Sequence, residues 1–258
     1  MTTSYSNNVI SKTFAVLKAF TDEKKEWGVH ELARYLRIPT SSLHRILKNL
    51  REENLLSISH ETGKYSVGSE MVRISSIISS QVDIKKVAKP HLEKLAKTLN
   101  ESIYLAQYNE SHKKLAFIDK AQGSNVLQYV IEIGVLQPIT VAASGKAIFA
   151  FLDERERNEV LRIENIDDKK TSNLLEEINE IRKSGYITTA NERYQGSLSI
   201  GVPIFDASAK VVGSIIYTVS VDRFNQAEEE KIAKLLMEEA GNLSYALGYK
   251  KHTEVQVK

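Results

Sequence analysis

Ser41, Arg45 and Lys48 stand at i, i+4 and i+7 of one segment. At about 100° per residue, that spacing gathers them on a single helical face. Leu43, Ile46, Leu47 and Leu50 fall on the opposite side, with His44 and Asn49 on the flanks. Thr40, Ser41 and Ser42 put small hydroxyls in the first turn. Such a face can offer hydrogen bonds to phosphates and base edges from its N-terminal end, while Arg and Lys further along supply charge. Arg45 has the geometry to grip a guanine with two hydrogen bonds or to hold a phosphate. A basic amphipathic helix standing alone is more often just a solvated surface, so its neighbours decide.

The neighbours form an ordered set. A first helix reads from Val9 to about Thr21, with Ile10, Phe14, Leu17 and Phe20 or Thr21 on one face. A charged turn, Asp22 to Glu26, leads to a second helix from Val29 to Leu36 that should bury Leu32, Ala33 and Leu36. Arg37-Ile38-Pro39 is a connector, because proline disfavours helix in the residue before it and suits a helix start. The third helix runs from Pro39 to about Glu53. Two strand-like runs, 55–59 and 64–67, flank the turn His60-Glu61-Thr62-Gly63 and predict a hairpin with Lys64 and Tyr65 near its tip. Helix, turn, helix and hairpin is the order of a winged helix-turn-helix, whose wing adds backbone contacts. The residues expected to face DNA are Thr40, Ser41, Ser42, His44, Arg45, Lys48, Lys64 and Tyr65.

Beyond the hairpin, 69–82 reads as a further helix with Met71, Ile74, Ile77 and Ile78 on one face. The body begins near Asp83 with a helix from Ile84 to Leu99, which Pro90 should break near its start. Strands are expected at 102–108, 114–120, 126–132, 197–205 and 210–220, and helices at about 143–152, 153–163 and 172–184. An amphipathic helix, Gln226 to Leu247, carries Ile232, Leu236, Ala240, Leu243 and Leu247 on one stripe, and a polar tail follows from Lys250. The run Ala-Ala-Ser-Gly-Lys-Ala at 142–147 opens a helix directly after a strand-like segment. Small residues there should leave backbone N–H groups open, and a helix N-terminus favours an anion. Leu127 and Tyr129, at alternate strand positions, could supply an apolar wall. The plainer alternative is that Ser144 only caps its helix and Ser199 only packs.

Bulk properties narrow the class. The 258 residues suit two domains, and 42% hydrophobic with 26% charged is an ordinary globular composition. The net charge of +2 hides a modest asymmetry: residues 1–81 hold eleven basic and eight acidic side chains. No stretch is apolar enough to span a bilayer, and the polar N-terminus has no secretory pattern, so a cytoplasmic protein with no membrane partner is expected. With 0 Cys there is no disulfide, thiolate metal site or cysteine nucleophile. His30, His44, His60 and His91 show no metal-ligand spacing, so neither metal nor cofactor is expected. An enzyme, with an α/β catalytic domain and an accessory winged helix, is the main rival. No Gly-rich phosphate loop, nucleophile elbow or H-E-x-x-H pattern supports it. Glu101 and Asp119 form its one candidate carboxylate pair, and both read as surface residues. A module whose winged helix binds protein is a second rival.

Residues 9–251 resemble the IclR family of bacterial transcription regulators. In the head, "VHELARYLRIPTSSLHRILKNLREENLL" and "GKYSVG" look like that family's helix-turn-helix and wing. In the body, "KPHLEKLAKTLNESIYLA", "LQPITVAASGKAIFAFL" and "IRKSGYITTANERYQGSLSIGVPIFDASAKVVGSI" look like its effector domain. The family's signature maps onto Gly185, Thr189, Glu192, Ser199, Ile200, Gly201, Ile204, Phe205 and Asp206, with Thr189 standing where Asp or Ser is usual. The resemblance implies an α/β (α+β) protein: a winged helix-turn-helix over 1–68, a linker helix over 69–82 that helps heads dimerise, a GAF-like effector-binding domain with an antiparallel sheet over 83–250, and a tail over 251–258. It also implies that Ala143, Ser144, Thr189 and Ser199 touch a small-molecule effector, for which a small organic acid is the natural class. A Thr in place of Asp should ease the binding of an anionic or a neutral hydroxylated ligand. Family members are similar in working as homodimers or dimers of dimers on palindromic double-stranded operators.

Overall fold

The computed structural model describes residues 8–125 and 131–250. Leu127 and Tyr129, and most of the strand expected at 126–132, lie outside the described residues. The chain divides into two compact units, Met1–Val82 and Asp83–Lys258.

In the first unit, α1 (Val9–Asp22), β1 (Glu26–Trp27), α2 (Val29–Leu36) and α3 (Thr40–Glu52) are followed by β2 (Leu56–Ile58), β3 (Tyr65–Val67) and α4 (Ser69–Ser80). The three strands form one antiparallel sheet in the order β1-β3-β2. The short β1 was not apparent in the sequence. It pairs Trp27 with Tyr65, and the Trp27 ring N–H donates to the Ala19 carbonyl at 3.1 Å. The core gathers Val16, Phe20, Trp27, Leu32, Leu43 and Leu47 with Tyr65. The face of α1 differs from expectation: Ala15, Val16, Ala19 and Phe20 are buried, whereas Ile10 and Phe14 are 60% and 58% exposed. The two alanines define the inward face, and a pattern read from large side chains alone passes over them. In α4 no residue is buried.

The second unit begins with α5 (Ile84–Leu99) and continues through β4 (Ser102–Asn109), β5 (Lys114–Ala121), β6 (Leu136–Gln137), α6 (Ala142–Phe149), α7 (Glu154–Ile163) and α8 (Asp168–Ser184). Three strands follow, β7 (Ile187–Ala190), β8 (Ser197–Phe205) and β9 (Val211–Ser220), and the unit closes on α9 (Glu229–Ala246). The six strands make one antiparallel sheet, order β6-β5-β4-β9-β8-β7. Strand alternation divides the core in two. Ile103, Leu105, Ile200, Val202 and Ile215 meet Leu92 and Leu95 of α5 and Leu236 and Leu243 of α9. Tyr104, Phe117 and Ile216 face the other way, toward Ile148, Ile178 and Ile181 on α6 and α8.

Pro90 does not break α5, which runs unbroken from Ile84 to Leu99. The ring removes one hydrogen bond, but Pro90 and Lys86 four residues earlier are exposed, so water can take the freed carbonyl. Ala88, Leu92, Leu95 and Ala96 meanwhile pin the helix to the sheet. Glu101 is not at the surface. It is 5% exposed, 2.7 Å from Arg223, and burial pushes its carboxyl above the usual range against the pull of that arginine. Among the described residues no helix is long and apolar enough to cross a membrane.

Candidate functional sites

The third helix of the head shows how its polar face is made. Leu43, Ile46, Leu47 and Leu50 are buried, which turns Ser41, His44, Arg45, Lys48 and Asn49 outward; Thr40 and Ser42 are half-buried. The turn before it places Arg37 in the left-handed region at φ +54° and sinks Ile38 into the core. Pro39 then precedes the first turn, which carries no acidic residue. That leaves the positive end of the helix dipole uncompensated there. Among the described residues no carboxylate pairs with Arg45, whereas Lys48 lies 3.7 Å from Glu52.

The wing is a β2–β3 hairpin closed by the Ser59 N–H to Lys64 carbonyl bond at 2.9 Å, with Gly63 at φ +65° supplying a turn conformation that side chains resist. Lys64 is exposed. Tyr65 is not at the tip: it pairs with Ile58 and Trp27 and is 7% exposed, its ring inside the head core. Strand alternation turns Tyr65 inward and its neighbour outward, so its burial assigns it to packing.

In the second unit, alternation along β8 puts Ser197, Ser199 and Gly201 on the side of α6. The approach is close: a Cβ on Gly201 would sit 2.4 Å from the Ala143 carbonyl oxygen. All eight residues of α6 are buried, Lys146 included. Its ammonium is paired with Glu177 at 2.7 Å and Glu192 at 2.8 Å. Burial pulls that ammonium down, but the two carboxylates outweigh it and hold the pKa above the ordinary value.

The start of α6 is partly occupied. Ala142 enters at φ +64°, and its N–H donates to Glu192 Oε2 at 2.8 Å. The Ala143 N–H donates to Thr189 Oγ1 at 2.9 Å. Of the N–H groups expected to await an anion, these two are already taken by internal side chains. Thr189 is 8% exposed and Ser144 is 2% exposed, and the two border one cavity with Ser199, Thr218 and Arg193. Ser199 and Thr218 hydroxyls lie 3.1 Å apart on adjacent strands. Ala142 lines this space, whereas Ala143 does not and meets the site only through its N–H bond to Thr189. The cavity is about 20 Å³, room for a single water.

Arg193 is the residue that sequence reasoning missed. It sits one position after Glu192 of the signature, and that adjacency was its one available signal.

A model of the bacterial transcriptional regulator IclR C-terminal domain matches residues 77–245, and one of the IclR helix-turn-helix domain matches 9–57. The chain belongs to the IclR family. It is 25% identical over 249 residues to the HTH-type transcriptional regulator KipR of Bacillus subtilis, covering 94% of this chain and 98% of the relative. To the HTH-type transcriptional regulator KdgR of Escherichia coli it is 24% identical over 248 residues, covering 93% and 92%. Among solved structures, Pseudomonas aeruginosa HmgR superposes with a TM-score of 0.71 at 24% identity, covering 93% of this chain and 98% of that one. The Agrobacterium tumefaciens repressor BlcR gives 0.64 at 21%, covering 93% and 97%. These two superpositions show a shared fold: a helix-turn-helix head and an α/β unit built on an antiparallel sheet. The family and the relatives are IclR-type transcription regulators that bind DNA, and kinship lends nothing to the enzyme reading.

Proposed function

We propose that this IclR family member binds a double-stranded operator through the outward face of α3 and the wing, and that a small organic acid held in the second unit controls that binding. The observation that carries the first half is the surface of α3, where Thr40, Ser41, Ser42, His44, Arg45 and Lys48 stand opposite a fully buried leucine and isoleucine stripe. Lys64 on the wing adds a phosphate contact. The second half is supported by the cavity that Ser144, Thr189 and Ser199 border, with Ala143 held to Thr189 beside it. The working assembly is a homodimer or dimer of dimers on a palindromic site, with α4 and its exposed Val72, Ile77 and Ile78 between heads. Effector control then acts by population shift, since the ligand must bind one arrangement of the heads better than another.

A gel-shift with the promoter region upstream of the protein's own gene tests the reading. A complex at low salt that dissolves as salt rises is expected for phosphate contacts. No complex at low salt overturns it.

A further inference from the structure

The half-buried Arg193 guanidinium borders the cavity with no carboxylate at ion-pairing distance among the described residues. It donates to Gln137 Oε1, to the Pro138 carbonyl at 3.0 Å, to the Val141 carbonyl at 2.8 Å and to Ser144 Oγ at 3.4 Å, all neutral acceptors. Its Nε–H is buried and has no acceptor. Among the described residues no carboxylate lies within ion-pairing distance, and the two that attract it from further off are committed elsewhere. Glu164 accepts from the Ile139 N–H at 2.8 Å and from the Thr140 hydroxyl, while Glu192 serves Ala142 and Lys146. Burial accordingly pulls the guanidinium pKa down. A partly desolvated charge with no opposite charge is costly, and the cost is relieved when an anion arrives.

Two further observations point the same way. At about 20 Å³ the cavity is far below the few hundred Å³ that a small-molecule site needs, so a ligand must displace part of its wall. Beside apolar Phe117, Ile131 and Ile216, the hydroxyls of Ser199 and Thr218 border that space and can meet the oxygens of a hydroxylated molecule. Arg193 also holds the segment 137–141, at Gln137, Pro138 and Val141, while Glu164 holds it at Ile139 and Thr140.

We propose that Arg193 selects a small hydroxylated carboxylate, and that binding transfers its guanidinium from the 137–141 segment to the ligand and so loosens that segment. This rests on the reading of the second unit as the ligand-binding part of a regulator. The transfer exchanges two carbonyl acceptors for a carboxylate, which a planar guanidinium meets with paired, charge-assisted hydrogen bonds. The bound state therefore keeps Arg193 satisfied while freeing the Pro138 and Val141 carbonyls.

The test uses the full chain at fixed ionic strength, with sodium gluconate, lactate and glycerate as probes and sorbitol, propylene glycol and glycerol as their neutral counterparts. Thermal shift should show a saturable rise with at least one carboxylate and none with its neutral partner. Arg193→Gln should weaken that response by about tenfold or more, whereas Arg193→Lys keeps the charge and part of the response. Amide exchange at Ile139 and Thr140 should quicken on binding, which a purely structural arginine would not produce. Equal responses to a carboxylate and its neutral partner, an unchanged response in Arg193→Gln, or no response to any carboxylate each overturn the proposal. Should the Gln variant fail to fold, Arg193→Lys decides: a carboxylate response as strong and as selective as wild type, with the paired guanidinium hydrogen bonds gone, also overturns it. A gel-shift on the same sample separates the readings. Operator binding without an Arg193-dependent carboxylate response removes this inference alone, and absence of operator binding removes the regulator reading.

Discussion

Glu192 accepts the backbone N–H of Ala142 at 2.8 Å, and Ala142 sits at φ +64°, a conformation that a Cβ makes unfavourable by about 1–2 kcal/mol. The other oxygen of the same carboxylate takes Lys146 at 2.8 Å, one turn further along α6. A side chain 50 residues away therefore fixes both the entry and the first turn of the helix that borders the cavity. Removing it strands a buried N–H and leaves Lys146 with Glu177 alone. Glu192→Ala is expected to lower unfolding stability by about 2–4 kcal/mol in urea titration, and Glu192→Gln by less because its amide oxygen can still accept from Ala142. Wild-type stability in the Ala variant would contradict this account.

Gly201 is required by contact rather than by backbone conformation. An added methyl would meet the Ala143 carbonyl oxygen at 2.4 Å and its carbon at 2.7 Å. Backbone cannot rotate aside, so α6 must lift from β8. Gly201→Ala should cost about 1–3 kcal/mol and disturb the Ala143 to Thr189 hydrogen bond. Denaturant unfolding measures the first, and faster amide exchange at Ala143 measures the second.

How much of this was legible beforehand depends on which residues bear the information. The stripe of Leu43, Ile46, Leu47 and Leu50 was readable because large apolar side chains at helical spacing have one burial solution, and α3 shows it. The same rule failed for α1, where Ala15 and Ala19 face inward and Phe14 does not. Strands β8 and β9 matched expectation almost to the residue, being long and β-branched, whereas β1 and β6 are two residues each and exist through their partners. The cavity residues were reachable through kinship, not through spacing. Thr189 and Ala143 are 46 positions apart in the chain and meet across a helix start. Arg193 and Glu192 do their work through long-range partners that local pattern cannot reveal.

The burial of Tyr65 makes a prediction that separates packing from contact with DNA. Tyr65→Phe should leave operator affinity within about twofold, since the ring faces the head core. Tyr65→Ala should destabilise the head by about 3–5 kcal/mol through the void it leaves. The exposed Lys64 behaves oppositely, Lys64→Ala keeping the fold and reducing the dependence of operator binding on salt. A large affinity loss in the Phe variant with unchanged melting would return Tyr65 to the interface.

Glu239 joins α9 to α5 and sets a pH dependence. It is 4% exposed, with His91 Nδ1 at 2.7 Å and Lys94 Nζ at 2.5 Å. Burial pushes its carboxyl up, but the hydrogen bonds from Lys94 and His91 outweigh that and hold it below the ordinary 4.5. A depressed folded-state value favours the ionised native protein, so the contribution is present above the unfolded value and disappears as pH falls through the folded one. Glu239→Gln should lower Tm at neutral pH, and the gap to wild type should close on acidification below about 4.5. A gap that stays constant across that range would show that packing rather than charge is responsible.

Arg45 and Lys48 share a face of α3 but not an electrostatic state. Among the described residues Arg45 has no carboxylate partner, whereas Lys48 divides its charge with Glu52 at 3.7 Å. An exposed, unshared guanidinium contributes little to folding, so Arg45→Ala should change stability by no more than about 0.5 kcal/mol. On DNA the same charge has a phosphate or a guanine to meet, and its loss should weaken operator binding by about tenfold or more. If Arg45 holds a phosphate, the slope of log affinity against log salt falls by about one as well. Lys48→Ala should weaken binding less, since Glu52 already offsets that cation. Binding measured across a salt series, with thermal melting of each variant as the control, distinguishes these outcomes. Loss of operator binding in step with loss of fold in Arg45→Ala would mean that the residue supports the head instead of reading DNA.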